Sequence, residues 1–445
     1  MTQTLETTGN YAEDFEALDA VRAVVAPKWL TSLRRRSIAA FTEAGLPTRR
    51  HEEWRYTPIP RVVETPFKLA GYGVSATPHL HDVIDYTFGD LKAHQLVFID
   101  GKFAPTLSTI LPLPSGVRIG SLAELLQEDP LAVEGKLGGI AEVDGLAFPA
   151  LNTAFFHDGA YVLLPKNAVV DEPIHILYLS SGGAEAAVTY PRTLVVAGES
   201  SQAMVVESFA GSSGELYFTN AVTEFYIAAN ANIEHNKLTR EGAQAQHIAT
   251  TQIDIERSAT FTSHNITLGG LLVRNNFNAH LGGEGIVCTL NGLYMGRDKQ
   301  LVDNHTFIDH AQPHCESHEI YKGILDGQSR GVFNGKIMVR PDAQKTDAKQ
   351  TNKTLLLSKE ATIDTKPQLE IFADDVRCTH GATVGQSDEE AIFYLRTRGI
   401  GEADARSLMV YAFAADIVNR ITIEPVRRRL DEALFTEGAL QGIAR

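Results

Sequence analysis

Between about residue 160 and residue 385 the chain consists of short runs rich in Val, Ile, Thr and Phe, broken by Gly, Asn, Asp and Ser. Runs of this kind without helical periodicity predict β-strands. Four of them open on a small residue at a nearly constant spacing, at Ala203, Ala231, Ala259 and Gly285. A fixed period of this length is typical of stacked rungs in a β-solenoid, each of which buries apolar positions against the next. The spacing therefore predicts a parallel β-helix.

The same pattern continues more loosely at Gly331 and Ala361. A β-sandwich would show shorter and less regular spacing. The sequence thus predicts a mainly β protein, with a helical or mixed N-terminal region (1–150), a parallel β-helix core (151–386) and a C-terminal helical domain (387–445).

Apolar residues at helical spacing, from Phe15 to Phe41, predict helices before Gly45. The following stretch RRHEEWRYTPIP, residues 49–60, places charged and aromatic residues before two prolines. It predicts an ordered surface connection clamped by Trp54 and Tyr56 rather than a regular element.

At the other end, Ser387 and Glu390 have the spacing of a capping box, which predicts a helix from Asp388 to about Gly399. A second helix is predicted from about Glu402. Its apolar stripe either binds a partner or packs within the chain, and both alternatives stay open. The stripe comprises Leu408, Tyr411, Ala412, Ala415 and Val418.

Composition excludes several classes of function. The 40 Lys and Arg against 55 Asp and Glu give a formal charge of -15, which disfavours nonspecific nucleic-acid binding. The first twenty residues are polar and acidic, and no stretch reaches about 18 apolar residues, so we expect a cytoplasmic protein without membrane contact. The 3 cysteines are widely spaced, which predicts free thiols and no disulfide framework.

The stretch DDVRCTHGATVG places Cys378 and His380 two positions apart. On a strand these side chains share one face, where a thiolate and an imidazole would suit iron or zinc. A closed site needs more ligands than this stretch supplies, so the others would come from elsewhere. Two alternatives are a packed Cys beside a hydrogen-bonded His and, less favoured, a nucleophile with its base.

Three other clusters favour structural roles. In the histidine-rich stretch 305–319 we expect His314 and His318 to share a strand face, but the spacings match no zinc site. The basic stretch 330–353 lacks interleaved aromatics and predicts a solvated face rather than a nucleic-acid strip. Asp374 and Asp375 suggest a carbohydrate-active β-helix enzyme, although adjacent strand residues point to opposite faces.

Several segments together resemble the SufB/SufD family, which forms the scaffold of the SUF iron–sulfur cluster assembly system. They include HEEWRYTPI, VDNHTFIDHAQPHCESHEIYKG, FNGKIMVRPDAQKTDAKQTNKTLLLS, KPQLEIFADDVRCTHGATVG and IFYLRTRGI. The resemblance runs from about residue 45 to about residue 425. It implies a right-handed parallel β-helix with helical terminal portions, in agreement with the strand period.

The resemblance further implies a non-catalytic subunit that pairs with a SufB-like paralogue and a SufC-like ATPase to build a nascent cluster. SufB-like sequences carry a cysteine and a His-Glu pair where this chain has Asn352 and His380-Gly381. His380 is therefore implied as a metal ligand or interface residue shared with the partner chain, with Cys378 beside it. The C-terminal helices are implied to dock the ATPase.

By this resemblance the isolated chain binds no cofactor of its own, while a homodimer in isolation and reduced flavin in the complex are both compatible with it. Two other functions remain as alternatives. One is a cytoplasmic β-helix carbohydrate-active enzyme, suggested by Asp374 and Asp375. The other is an interaction protein that never contacts metal.

Overall fold

A computed structural model describes residues 2–70, 83–182, 185–211 and 214–434. The protein is a parallel β-solenoid of about seven turns with helices at the N-terminal and C-terminal ends. The mainly β prediction with helical ends is therefore confirmed. Within the described residues, no helix is long and apolar enough to cross a membrane.

The longer helices are α1 (Thr2–Arg22), α2 (Lys28–Ala44), α3 (Pro60–Glu64), α4 (Leu122–Glu128), α5 (Ala147–Phe155), α6 (Glu389–Thr397), α7 (Glu402–Val418) and α8 (Glu424–Ala433). Short 3-10 turns lie at Glu52–Trp54, Pro105–Leu107 and Pro130–Val133. The first eight strands are β1 (Lys68–Leu69), β2 (His94–Ile99), β3 (Lys102–Phe103), β4 (Arg118–Ser121), β5 (Gly159–Leu164), β6 (Ile174–Ser180), β7 (Ala187–Thr189) and β8 (Arg192–Ala197). The remaining strands are β9 (Gln202–Gly211), β10 (Tyr217–Ile227), β11 (Asn232–Arg240), β12 (Gln246–Ile255), β13 (Thr260–Thr267), β14 (Leu272–Leu281), β15 (Val287–Gly296), β16 (Leu301–His310), β17 (Glu316–Leu325), β18 (Arg330–Val339), β19 (Asp347–Leu356), β20 (Thr362–Ile371) and β21 (Arg377–Gln386).

Successive strands of the solenoid alternate between two sheets. Sheet A has 11 strands and runs β20-β18-β16-β14-β12-β10-β8-β5-β4, with β1 and β7 beside it. Sheet B has 10 strands and runs β21-β19-β17-β15-β13-β11-β9-β6-β2-β3. The pairs along the solenoid from β8 and β9 onward are parallel, which is the arrangement that stacked rungs require.

All six predicted runs are strands of the solenoid, and they are divided between its two sheets. Ala203, Ala231, Ala259 and Gly285 lie in or just before consecutive strands of sheet B. Gly331 and Ala361 instead lead strands of sheet A. The strands of both sheets alternate in the same way and direct small residues into one shared interior. The local sequence of a strand therefore does not indicate which sheet it joins.

The interior between the sheets contains polar side chains as well as aliphatic ones. Glu207 is fully buried and accepts hydrogen bonds from Thr193 at 2.6 Å and Thr223 at 2.8 Å. The Lys237 ammonium donates to Asn275 at 2.5 Å, and burial lowers the pKa of this lysine to about 8. Buried polar groups need such partners because an unpaired one costs about 1–3 kcal/mol.

The N-terminal helices pack on the outer face of sheet A, in a cluster that includes Leu30, Phe41 and Phe218. Trp54 anchors the connection 49–60 to the solenoid, as predicted. The Arg274 guanidinium lies 3.9 Å from the centroid of the Trp54 ring and pairs with the buried carboxylate of Asp303 at 2.7 Å. A cation over an indole face in a dry site is a favourable contact, so this segment is fixed to the solenoid.

The C-terminal helices pack on the outer face of sheet B. Val410 and Ile417 of α7 belong to one buried cluster with Leu293, which points outward from β15. The Lys322 ammonium adds a polar anchor, because it donates to the Phe413 carbonyl at 3.0 Å and pairs with Asp416 at 2.8 Å.

The predicted cap of the first C-terminal helix is wrong by one residue. The N-cap is Asp388, whose carboxylate accepts the backbone N–H groups of Glu390 and Ala391 at 3.0 Å each. An Asp side chain is as good a cap as Ser, and here it accepts two of the four N–H groups that lack a partner within the helix. The helix α6 accordingly begins at Glu389 and ends at Thr397, just before Gly399 with its φ of 87°.

Candidate functional site at the open end of the solenoid

At the last turn of the solenoid, each sheet ends in a strand whose outer edge pairs with no other strand of the described residues. The strands β20 and β21 are the terminal strands of sheets A and B, so each pairs with a neighbour on one side only. Residues in the preceding strand β19 alternate between buried and accessible, whereas all residues of β21 except Cys378 are exposed. An unpaired edge of this length is a ready template for another strand.

Cys378 and His380 lie on the inward-facing side of β21, as the spacing predicts. They pair in register with Ala348 and Gln350 of β19, and both of those side chains point into the core and are buried. The Cys378 side chain is half-buried and packs against the main core cluster. His380 is exposed. The imidazole therefore lies at the mouth of the interior, on the last turn.

The three thiols are not activated in this chain. Burial raises the pKa of Cys378 above its usual range, raises that of Cys315, and raises that of Cys288 to about 12. A thiol with a raised pKa stays protonated at neutral pH and is a poor nucleophile. The geometry thus favours a packing role for Cys378 over a nucleophile paired with His380.

Behind His380 the interior contains polar residues that the sequence alone did not single out. The Gln350 amide donates to the Glu319 carboxylate at 2.7 Å, and both side chains are buried. Glu319 and Gln350 occupy the same inward-facing column as His380, on three successive strands of sheet B. Burial raises the pKa of Glu319 to about 7. Glu319 and Gln350 are polar residues at inward-facing strand positions. This can be recognised only when the register of the strands is known.

Apolar side chains surround this end of the molecule. Phe372, which directly follows β20, is 62% exposed. Val384, which lies near the end of β21, is 49% exposed. Exposed apolar residues at an open sheet edge are typical of a protein interface.

A second accessible apolar surface lies on α6 and α7. Phe393 is 66% exposed, Tyr394 is 57% exposed and Leu408 is 41% exposed. We call these three residues with Ala412, which is also exposed, the helical patch.

The predicted apolar stripe on α7 is divided between this patch and the protein core. Leu408 and Ala412 are accessible, and Tyr411 and Ala415 are half-buried. Val418 is buried against sheet B. One face of α7 thus covers the solenoid while the adjoining face stays accessible, and partner binding by that accessible face stays a prediction.

The histidine-rich stretch does not form the predicted pair. His314 lies in a turn with φ of 59°, so it does not share a strand face with His318. His305 lies between the carboxylates of Glu53 at 3.1 Å and Asp303 at 3.0 Å, which ties the N-terminal connection to β16. In the described part of the chain no group of three His, Cys, Asp or Glu residues is arranged to hold a metal ion.

Most charges of the basic stretch 330–353 are paired within the chain. Arg330 pairs with Asp364 at 2.5 Å and Lys336 with Glu370 at 2.8 Å. Further pairs are Arg340 with Asp309, Lys345 with Asp375, and Lys349 with Asp347. This supports the interpretation as a solvated solenoid face. Asp374 and Asp375 lie in a bend between β20 and β21 rather than on a strand.

Comparison with known proteins gives a consistent result along the whole chain. The family model for the SufBD core domain of SUF system FeS cluster assembly matches residues 178–413, and the SufBD N-terminal region matches residues 5–176. The iron-sulfur cluster assembly protein SufD of Escherichia coli is 34% identical over 419 residues, which cover 94% of this chain and 93% of that protein. A SufBD family protein of Synechocystis is 34% identical over 400 residues, covering 87% of each chain.

The protein is thus a parallel β-solenoid with helices at both ends and an open last turn. This chain belongs to the SufBD family of the SUF system, and its role lies in iron–sulfur cluster assembly.

Proposed function

We propose that this chain is a non-catalytic scaffold subunit that contributes His380 to a cluster-assembly site shared with a SufB-like paralogue. The observation that carries the proposal is the open end itself. The exposed imidazole of His380 lies on the unpaired edge strand β21, and the exposed side chains of Phe372 and Val384 lie near the ends of β20 and β21. A second chain that adds strands here would cover the apolar side chains and enclose the histidine.

In this proposal the nascent cluster is cargo, and this chain supplies only part of its ligands. A neutral imidazole offers one nitrogen lone pair to iron, while the remaining ligands come from the paralogue. Cys378 packs against the main core cluster, which supports leaving that thiol out of the ligand set.

The helical patch is proposed to dock a SufC-like ATPase. Its support is the exposure of Phe393, Tyr394 and Leu408 on helices whose other face is held on sheet B. Such an arrangement presents a firmly seated apolar surface to a partner. We also propose a cytoplasmic location, which the three free cysteines support because reducing compartments keep thiols free.

The test is co-expression with the SufB-like and SufC-like partners, followed by sizing and anaerobic measurement of cluster yield. We expect His380→Ala to lower the yield roughly tenfold in a complex of unchanged size, because alanine offers no lone pair. Thr379→Ala is the matched control, since Thr379 is the exposed neighbour that pairs with Lys349 on the outward side. Wild-type yield from an intact His380→Ala complex would favour an interaction protein that never contacts metal.

The same preparation tests the contact surface. Phe372→Lys with Val384→Lys should release the paralogue, because two ammonium groups would be buried in the contact. Both side chains are exposed in this chain, so its own fold should not change. Retention of the paralogue by this double variant would place the contact elsewhere.

A further inference from the structure

Gln350 presents a buried hydrogen-bond acceptor to the last turn of the solenoid. Its amide nitrogen Nε2 donates to Glu319 Oε2 at 2.7 Å. In this orientation the amide uses an N–H to reach Glu319, which leaves its carbonyl oxygen for another donor. The carbonyl oxygen Oε1 of Gln350 is buried and has no hydrogen-bond partner. A buried acceptor without a donor is uncommon and costly.

The side chain of Gln350 is confined laterally. On the facing sheet, a Cβ atom added to Gly335 would overlap the amide nitrogen of Gln350, and Phe333 lies beside the same position. The amide thus occupies space that only glycine leaves free. Its carbonyl cannot turn toward Glu319 without losing the existing hydrogen bond.

The next side chain in this column is His380. Gln350 and His380 are paired in register on β19 and β21, and neighbouring strands are about 4.8 Å apart. Histidine ligands of metals nearly always donate their second ring N–H to a carbonyl or carboxylate, which fixes the tautomer and the ring orientation. The free Oε1 of Gln350 is an acceptor of that kind, one strand away.

We propose that Gln350 is a positioning residue for His380: its Oε1 accepts one ring N–H of His380 once a partner covers the open end, and Glu319 fixes the amide. The other ring nitrogen then keeps its lone pair and faces out of the solenoid toward the iron. In the uncovered chain His380 is exposed, so water competes for its N–H groups. Exclusion of water by the partner strengthens the bond. This inference rests on the proposed function, in which His380 is the ligand.

The test reads the tautomer of His380 directly, without a cluster. The complex is assembled without iron from unlabelled partners and this chain carrying ¹⁵N-histidine, and is sedimented for magic-angle-spinning NMR. The His380 ring signals are assigned by their loss in His380→Gln. We expect one neutral tautomer in the wild-type complex and a mixture of both in Gln350→Met, which keeps the size of the side chain without its acceptor.

Two further variants separate positioning from packing. Gln350→Glu keeps an acceptor and should keep the single tautomer. Thr354→Val is the matched control, because Thr354 is buried on the same face of the same strand, two residue pairs further from His380. It should give the wild-type pattern. A single unchanged tautomer in Gln350→Met, or two tautomers in the wild type, would overturn the inference.

Cluster yield in the iron-loaded complex completes the test. Gln350→Met should lower it roughly tenfold, as loss of such outer-shell partners typically does, and Gln350→Glu should restore at least half of it. The experiments distinguish failure of the proposed function from failure of the positioning role. If His380→Ala gives an unchanged cluster yield, the proposed function is contradicted, whatever the tautomer of His380. If His380→Ala lowers the yield but Gln350→Met leaves the tautomer unaltered, only the positioning role of Gln350 is contradicted.

Discussion

The ring of Tyr321 occupies the space into which a Cβ atom of Gly292 would project. The two residues are paired in register on β17 and β15, and a methyl group at Gly292 would overlap the Cδ1 and Cε1 atoms of the ring. The relationship is repeated in reverse two positions along the same strands, where the ring of Tyr294 lies over Gly323. Each of these two rings is thus accommodated by a glycine on the adjacent turn.

Gly292→Ala should therefore destabilise the solenoid by about 3 kcal/mol, because a well-packed core cannot absorb the added methyl group. The Tyr321 side chain is 1% exposed, so its ring has no room to move away. Urea unfolding followed by circular dichroism measures the change. Gly381→Ala is the control, since a methyl group there would have no atom within 4 Å.

A double variant identifies the cause of that loss. In Gly292→Ala combined with Tyr321→Leu, the smaller side chain relieves the overlap, so the two changes should couple by at least about 1 kcal/mol. Additive effects in the two single variants and the double variant would show that the glycine is needed for another reason.

The solenoid could be predicted from sequence because its spacing is a property of consecutive residues. The strands that open near Ala203, Ala231 and Ala259 return to sheet B at almost one period. The spacing does not say which sheet a strand joins, because the two sheets share one interior and so select similar residues, and Gly331 and Ala361 lead strands of sheet A. Distinguishing the two sheets requires the path of the chain around each turn.

The candidate site could be predicted in part for the same reason. The common face of Cys378 and His380 follows from strand geometry two residues apart. The residues behind His380 could not be found this way, because Gln350 and Glu319 precede it by about one and two turns of chain. Only the register of three strands places them in one column.

The stripe on α7 shows a different limit. Helical periodicity identifies apolar positions but not which of them meet sheet B. Val418 is buried on that sheet, whereas Leu408, one of the predicted stripe residues, is accessible. The direction from which α7 approaches sheet B is set by contacts such as Lys322 with Asp416, which are far apart in sequence.

Glu319 should give this protein a distinctive dependence of stability on pH. Burial raises its pKa from 4.5 to about 7, so between these values the folded chain holds a proton that the unfolded chain has released. Stability therefore falls as the pH rises through this window and is constant above it, with a total change of about 3 kcal/mol. The buried residues His175 and His310, whose pKa values fall to about 3 and about 4, act in the opposite direction.

The difference between wild type and Glu319→Gln isolates the contribution of this carboxyl group, because the histidines are common to both. The free energy of unfolding of Glu319→Gln should rise relative to wild type by about 3 kcal/mol between pH 4.5 and pH 8. Glu316→Gln, an exposed position on the same strand, should show no such trend. A difference that does not vary with pH would mean that Glu319 ionises normally in the folded chain.

Binding of the ATPase by the helical patch can be tested by point substitutions, without deleting the C-terminal helices. Deletion of residues 387–445 would uncover apolar side chains of sheet B, including Leu238, Ile266 and Leu293. Loss of binding after such a deletion could then reflect damage to the solenoid. Point substitutions at exposed positions avoid this difficulty.

We expect Phe393→Asp and Leu408→Asp each to abolish co-purification of the SufC-like ATPase while leaving the paralogue bound. A carboxylate in the centre of an apolar contact must lose its hydration without gaining a partner, which costs several kcal/mol. Val24→Asp is the matched control, because Val24 is an equally apolar residue that is 81% exposed and lies between α1 and α2. Thermal unfolding should coincide for all variants, since none of these side chains is buried. Normal ATPase capture by both patch variants would show that the helices serve only to cover sheet B, and the docking surface would then have to lie on another face of the protein.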